Sequence, residues 1–394
     1  MSVVVVGGGV LGFMHALEAR WRGHPVTHLE REPGSRGASV RNFGLIWLSG
    51  RAGGPELDLA RRARARWAEI AAVVPGTGFR PNGSLTLARD DAELGLLKEA
   101  AARPDAGLRG YELLDPAAVR AVNPALHGEF AGGLLCRADA AVEPRLVPAA
   151  LRAHLLDAAP AEPAYQWLPG REAVELAPHA VRDHTGAWHR ADLVVLCPGA
   201  AHTGVAGPHL AAFAQPPVRR VRLQMMQTAP LNAELTTSVA DGDSLRYYPA
   251  FDLPGRRRLA PQDAAAARVS AQLLLVQRLD GSLTIGDTHE YDEPFAFDVE
   301  EDAFEHLLAV AGRLLGTPLP PARRRWAGVY SQVTGTELYH RSEVEPGVVL
   351  VTGPGGRGMT CAPAIAEQTF GRPQTSADHR RSADHRPLSP GRVP

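Results

Sequence analysis

The stretch from Val3 to Glu30, VVVVGGGVLGFMHALEARWRGHPVTHLE, constrains the fold more than any other part of the chain. Four consecutive valines suit a strand buried on both faces, because such strands need no polar alternation. Glycines follow at once. Apolar residues then recur at helical spacing as far as Gly23, a residue suited to the C′ position of a helix. Val26 to Glu30 reads as the next strand, which completes a strand–glycine turn–helix–strand unit of about thirty residues.

Within this unit Gly7, Gly9 and Gly12 form GxGxxG directly after the strand and at the start of the helix. That placement provides a tight turn, a close backbone approach and an anion site at a helix N-terminus. Val10 and Leu11 complete the turn. Glu30 stands where a carboxylate accepts from ribose hydroxyls, with Arg31 beside it. The order of parts predicts an ADP-containing dinucleotide. The plainer alternative is a packing turn with Glu30 as a solvated strand-end charge. An acid at Glu30 disfavours a 2′-phosphate, which leaves NAD or FAD.

Composition narrows the chemistry. Of 42 lysines and arginines combined, Lys98 is the lone lysine. It lies in DDAELGLLKEAAARP, which reads as a capped amphipathic helix with the lysine on its solvated face. A Schiff-base lysine for pyridoxal phosphate and the lysine of a P-loop are therefore both missing. The formal net charge of −1 supplies no case for nucleic acid or an anionic membrane. Cys136, Cys197 and Cys361 are far apart and the 15 histidines show no HxH or HExxH spacing, so neither a disulfide framework nor a metal site is expected. The N-terminal apolar run lacks the features of a signal peptide and is too short to span a bilayer, so a cytoplasmic protein, monomeric or homodimeric, is expected.

Further along, GPELDLARRARARWAEIAAVV reads as a helix with Leu59, Ala63, Trp67 and Ile70 on one face. NGSLTLA alternates like a strand, and Asp115 and Pro116 stand as N-cap and N1 of another helix. A helix is expected from Glu143–Pro144 to about Ala158. ADLVVLCPGA and VVLVTG resemble the first strand in character, and a helix should follow Gly358. Buried parallel strands at the start, middle and end imply a nucleotide-binding domain interrupted by a second domain. The last residues, from Gly371, repeat SADHR without apolar periodicity and read as a disordered tail.

Three later segments favour FAD over NAD: GSRGASVRNFG after the acid-bearing strand, the Pro-Gly-Ala that ends ADLVVLCPGA, and VTGPGGRGMT. With these the chain, from about residue 3 to residue 370, resembles the FAD-dependent D-amino-acid oxidase superfamily, which contains glycine oxidase and sarcosine oxidase. GASVRNFG, LQMMQT, YYPAF, GDTHEY and GPGGRGMT further resemble a narrower branch of FAD oxidoreductases associated with phosphonate catabolism.

The resemblance implies an α/β fold with a discontinuous Rossmann-like FAD-binding domain (1–80, 140–205 and 326–370). It also implies an α+β, antiparallel-sheet substrate domain (81–139 and 206–325) and a tail (371–394). Carried over by position, Gly7, Gly9, Gly12 and Glu30 would hold the ADP half. Ser39, Arg41 and Asn42 would lie near pyrophosphate and flavin, Val174 would contact the adenine side through its backbone, and Gly199 and Ala200 would close the site. Gly355, Gly356, Arg357, Gly358, Met359 and Thr360 would face the flavin. FAD would be bound non-covalently.

The implied reaction is oxidation of a C–N bond to an imine, which hydrolyses to a carbonyl, with dioxygen reoxidising the flavin. Tyr330 occupies the place where amino-acid-oxidising relatives often carry an arginine for the substrate carboxylate. An aminophosphonate would instead need several donors, for which Arg357, Arg246, Arg41 and His289 are candidates. Tyr248, Tyr330 and Gln224 are further pocket candidates, and no catalytic base is named. Two other readings are an FAD monooxygenase using NAD(P)H and a flavin-binding paralogue without activity.

Overall fold

The computed structural model describes residues 1–157 and 164–371, so the tail expected beyond Gly371 lies outside the described residues. The four valines form the strand Val3–Val6, buried along its whole length. It is central in a six-stranded sheet of order His340–Glu345, Val348–Thr352, Leu193–Leu196, Val3–Val6, Val26–Glu30 and Tyr165–Pro169. Every neighbouring pair is parallel except the first, which is antiparallel. The helix Val10–Trp21 crosses from the first strand to the second, and Gly23 takes a positive φ of 79° just after it. Helices cover one face of this Rossmann-like sheet, and a small sheet of residues 173–190 packs on the other.

A second sheet has eight strands. Its order is Ala322–Val333, Val218–Pro230, Ser282–Gly286, Leu274–Gln277, Ser238–Ala240, Ser84–Ala88, Gly132–Cys136 and Tyr111–Leu114. All pairs are antiparallel except Ser238–Ala240 with Ser84–Ala88. The strand Ala322–Val333 pairs with Val218–Pro230 from Ala322 to Val333. A boundary at residue 326 therefore cuts through one continuous strand, and residues 322–333 belong with the antiparallel sheet. Residues 173–190 form a small three-stranded sheet of their own.

The helix Pro55–Val73 buries Leu59, Ala63, Trp67 and Ile70 as their spacing requires. Trp67 is fully buried, and its indole Nε1 donates to Met359 O at 3.0 Å and Thr360 O at 3.2 Å, which ties this helix to the C-terminal helix Gly358–Gly371. Asp115 accepts from Ala118 N and caps Pro116–Val122. Asp90 caps Asp91–Ala101, on which Lys98 is exposed. The helix that begins after Glu143–Pro144 runs from Val147 to Leu156. The expected alternation in Ser84–Ala88 fails, because all five residues are buried. Leu85 and Leu87 pack into one apolar cluster and Ala88 into another, so both faces of that strand are covered.

Trp67→Ala is expected to lower unfolding free energy by about 3–5 kcal/mol, the range for removing a fully buried large aromatic. Trp188, 41% exposed, should tolerate the same change within about 1 kcal/mol. Chemical denaturation of the two variants checks both.

Candidate active site

Three adjacent parallel strands, Val3–Val6, Leu193–Leu196 and Val348–Thr352, end at the same sheet edge. Their continuations, at Gly7, Pro198–Gly199 and Gly353, therefore converge although they are far apart in sequence. The first turn is built from bare backbone. Gly7 has φ +108°, and a Cβ built on it would stand 2.2 Å from Cys197 O. A Cβ on Gly12 would stand 1.8 Å from Gly7 O. A side chain at Gly12 would separate helix from strand, and one at Gly7 would push apart the neighbouring strand's exit. His28 closes the turn from below, its Nε2 2.9 Å from Gly7 O. Glu30 accepts from Gly8 N and, at 2.8 Å, from Glu32 N, while Ser39 Oγ accepts from Val10 N at 2.8 Å. The helix N-terminus and the acid thus face one another across a short gap. This is where a ribose and a pyrophosphate fit.

The last loop is glycine-rich for a related reason. Gly353 and Gly355 have φ of +74° and +59°. A Cβ on Gly353 would come within 2.7 Å of Val218, and one on Gly355 within 3.2 Å of Gln332. Val333 N donates to Gly353 O at 3.0 Å, so the long strand of the second sheet runs directly into this loop. Thr352 Oγ1 donates to Gly199 O at 3.0 Å and joins the last loop to the middle one.

A cavity of about 1250 Å³ opens onto all three loops. That exceeds the usual space for a single drug-sized ligand, so it has room for an extended cofactor and a small substrate. Of the residues expected from sequence, Gly7, Gly9, Val10, Leu11, Glu30, Arg31, Ser39, Arg41, Asn42, Gly199 and Ala200 line it. So do Gly355, Gly356, Arg357, Gly358, Met359, Arg246, Tyr248, His289 and Tyr330.

Four do not. Gly12 is packed beneath the turn, against Gly7. Thr360 is buried, accepting from Trp47 N at 2.9 Å and donating to Leu45 O at 3.2 Å. Gln224 is spent on structure: its Nε2 donates to Glu290 at 2.8 Å and its Oε1 accepts from Glu300 N at 2.7 Å. Val174, expected to contribute its backbone, turns its side chain to solvent at 46% exposure, and its neighbour Ala173 lines the wall.

Beyond the last glycine loop the cavity widens into an aromatic chamber. Tyr247, Tyr248, Tyr291 and Tyr330 line it with Met225, Leu274, Asp287 and His289. Tyr247 stacks on His289 with ring centroids 3.9 Å apart, and its hydroxyl is 3.5 Å from that of Tyr330. Burial raises the phenols of Tyr247, Tyr248 and Tyr330, so all three remain protonated donors at neutral pH. Burial also lowers His289 to about 4 and raises Asp287 to about 7. His289 Nδ1 lies 3.3 Å from Ser270 O, which assigns the proton to Nδ1 and leaves Nε2 as an acceptor. Asp287 Oδ2 is 3.8 Å from that Nε2, and Gln272 donates to Asp287 Oδ1 at 3.3 Å. The chamber therefore holds a neutral imidazole beside a carboxyl that changes charge near neutrality.

Sequence reasoning missed Arg51, Glu56, Asp287 and Tyr291. Asp287 and Tyr291 both stand inside GDTHEY, each two residues from the histidine singled out there. Arg51 carries no local signal, since only the folded chain brings it to the wall. Its loop is gripped from the second sheet's side. Arg109, fully buried, donates to Leu48 O at 2.6 Å and Arg51 O at 2.8 Å. Asp139, also buried, accepts from Ser49 N at 3.1 Å and Ser49 Oγ at 2.7 Å.

Residues 2–371 match the family described as DAO, FAD dependent oxidoreductase. The chain belongs to this family. It is an FAD-dependent oxidoreductase, and the glycine turn, the acid and the cavity fit that cofactor. Glycine oxidase from Geobacillus kaustophilus superposes with a TM-score of 0.72 over 93% of each chain, at 20% identity. Dithionite-reduced L-alpha-glycerophosphate oxidase from Mycoplasma pneumoniae, with FAD bound, gives 0.70 over 94% of each chain, at 18% identity. At such identities the likeness concerns the fold. A Rhizobium etli protein named "Putative thiamine biosynthesis oxidoreductase ThiO" is 35% identical over 165 residues, 40% of this chain and 47% of that one. The match thus spans about half the length of that relative. Among the described residues of this DAO-family chain, no helix is long and apolar enough to cross a membrane.

Gly12→Ala is expected to yield folded but flavin-poor protein, with FAD affinity reduced at least about 10-fold. Visible absorbance after gel filtration, with and without added FAD, measures this. Asp287 sets a pH-dependent stability. Its folded value near 7 lies above the ordinary carboxylate value of 3.8, so its contribution is most favourable below about pH 4 and is lost as pH rises to about 7. Buried Asp241, raised to about 7 as well, acts with the same sign. Asp287→Asn should therefore gain stability over the parent between about pH 4 and 7 and hold that gain above it. The gain is bounded by about 1.4 kcal/mol for each tenfold change in proton affinity on folding. Urea melts at three pH values read the difference.

Proposed function

We propose that this DAO-family chain oxidises the C–N bond of a small amine to an imine, which water converts to a carbonyl and the released amine or ammonia. The observation that carries this reading is the continuity of the cavity. The space beside Gly7–Gly9 and Glu30 opens without a partition into the chamber of Tyr248, Tyr330 and His289. A cofactor that lies along the first part presents its far end to whatever enters the second.

In this reading Gly7, Gly9, Val10, Leu11 and Ser39 take the pyrophosphate, Glu30 and Arg31 the ribose, and Ala173 the adenine side. Arg41, Asn42, Gly199 and Ala200 line the middle. Gly355, Gly356, Gly358 and Met359, at the start of the helix Gly358–Gly371, face the flavin, where free amides and the helix dipole favour negative charge. Bound FAD supplies the acceptor for the hydride equivalent from the carbon next to nitrogen. The tyrosines and Met225 exclude water and orient the amine, and His289 Nε2 is a neutral acceptor for one of its protons. Cys361 is fully buried, off the cavity wall and raised to about 11, which supports non-covalent FAD.

Dioxygen as the electron acceptor and an aminophosphonate as substrate complete the proposal. Tyr330 in place of an arginine argues against a plain α-amino acid, while Arg51, Arg246 and Arg357 on the same wall suit a tetrahedral anion. Anaerobic titration of the purified holoprotein with 2-aminoethylphosphonate, its N-methyl form, glycine and sarcosine tests this. Bleaching of the flavin by at least one phosphonate, followed by recovery in air, is expected. Bleaching by NAD(P)H alone would replace this reading with a monooxygenase.

A further inference from the structure

We propose that Arg51 and Arg357, with Glu56 between them, form an anion subsite in the cavity wall that takes the anionic head group of the substrate, a phosphonate or a carboxylate. The inference rests on the amine-oxidising reading above and assigns the part of the chamber that discriminates by charge.

Charge is in surplus here. Glu56 Oε1 lies 3.7 Å from Arg51 Nη1 and 3.4 Å from Arg357 Nη1. Its Oε2 accepts from Ala52 N at 3.1 Å. One carboxylate thus serves two guanidiniums, and the side chains are 7%, 8% and 19% exposed for Arg51, Glu56 and Arg357. Two positive charges and one negative leave one positive charge uncompensated on a largely buried wall, where an unpaired charge is costly. The surplus is local. Arg246 has Asp243 at 3.2 Å, and Arg220 on the same cavity wall has Glu293 to itself.

Donors are also left over. Arg51 Nε donates to Trp47 O at 2.8 Å and Nη2 to Gly356 O at 3.4 Å, which fixes the plane of the guanidinium. Nη1 makes only the longer ion pair. Arg357 Nη2 donates to Leu338 O at 3.1 Å, and its Nε is buried without a partner. The backbone that carries Arg51 is itself held by Arg109 and Asp139, so the fork is positioned before any ligand arrives. A planar guanidinium pair with free donors and a net charge of one, beside Gly356, matches a tetrahedral or planar oxyanion.

The test uses holoprotein and unreactive probes, so it does not depend on turnover. Methylphosphonate and acetate are titrated while the flavin absorbance is followed, and ethylamine serves as the amine without an anionic group. Arg51→Gln should weaken both anions by about 10- to 100-fold, the size of a lost charge-assisted hydrogen bond, and leave ethylamine unchanged. Arg51→Lys, which keeps the charge, should recover part of the loss and covers the case in which the glutamine variant does not hold flavin. Glu56→Gln should tighten methylphosphonate more than acetate, because it leaves two uncompensated charges for a dianion to meet. The ratio of the two probes in the parent protein tells which head group the subsite favours. Unchanged anion affinity in Arg51→Gln and Arg51→Lys, or an equal loss for ethylamine, would overturn the subsite. Arginines that serve only the reduced flavin would show the same unchanged anion affinity. If the probes bind as expected while no amine bleaches the parent flavin, the subsite stands and the oxidation reading falls.

Discussion

Contact of backbone against backbone around Gly7 is the constraint on which the rest of this structure depends. The first helix approaches the first strand so closely that a single methyl at Gly12 would overlap Gly7 O. A methyl at Gly7 would overlap Cys197 O in the neighbouring strand's exit. The absence of side chains at these points keeps three strand ends level. Level strand ends are in turn what make one cavity out of loops drawn from the beginning, middle and end of the chain.

The far wall of that cavity belongs to the second sheet, and it is rigid for a different reason. Arg109 and Asp139 are both fully buried; beyond Asp105 and Ser84, their hydrogen bonds go to the main chain and side chains of Leu48–Arg51 rather than to each other. Burying such groups is unfavourable unless every polar atom finds work, and here most of that work is to hold one loop. The same low-polarity surroundings explain the neighbouring chamber. Desolvation holds His289 neutral and lifts the Asp287 carboxyl to about 7, so the imidazole and phenols offered to a ligand are neutral, the carboxyl changes charge near neutrality, and positive charge is concentrated at the arginines.

Local physics made much of this legible beforehand. The buried strand, the glycine turn, the acid after the second strand and the stripe Leu59, Ala63, Trp67, Ile70 all express themselves within one or two turns of chain. Their structural outcomes agree with their patterns. Misreadings occurred where a residue's role depends on what packs from elsewhere. Ser84–Ala88 alternates in sequence and forms the strand expected, yet the pattern cannot report the second layer that buries its polar face. Gln224 looked like a pocket residue because strand alternation cannot report that Glu290 and Glu300 N would engage its amide.

By itself the sequence determined that this chain builds a Rossmann-like dinucleotide fold with two glycine-rich turns, because glycine geometry, β-branched runs and helical periodicity are short-range properties. Only the tertiary structure decided that Arg51, Glu56 and Arg357 meet. Arg357 lies 301 positions from Glu56 and reaches it only because Val348–Thr352 returns to the sheet of the first strand, one strand away from it. Ion pairing and burial are properties of distance in space, and no spacing along the chain encodes them.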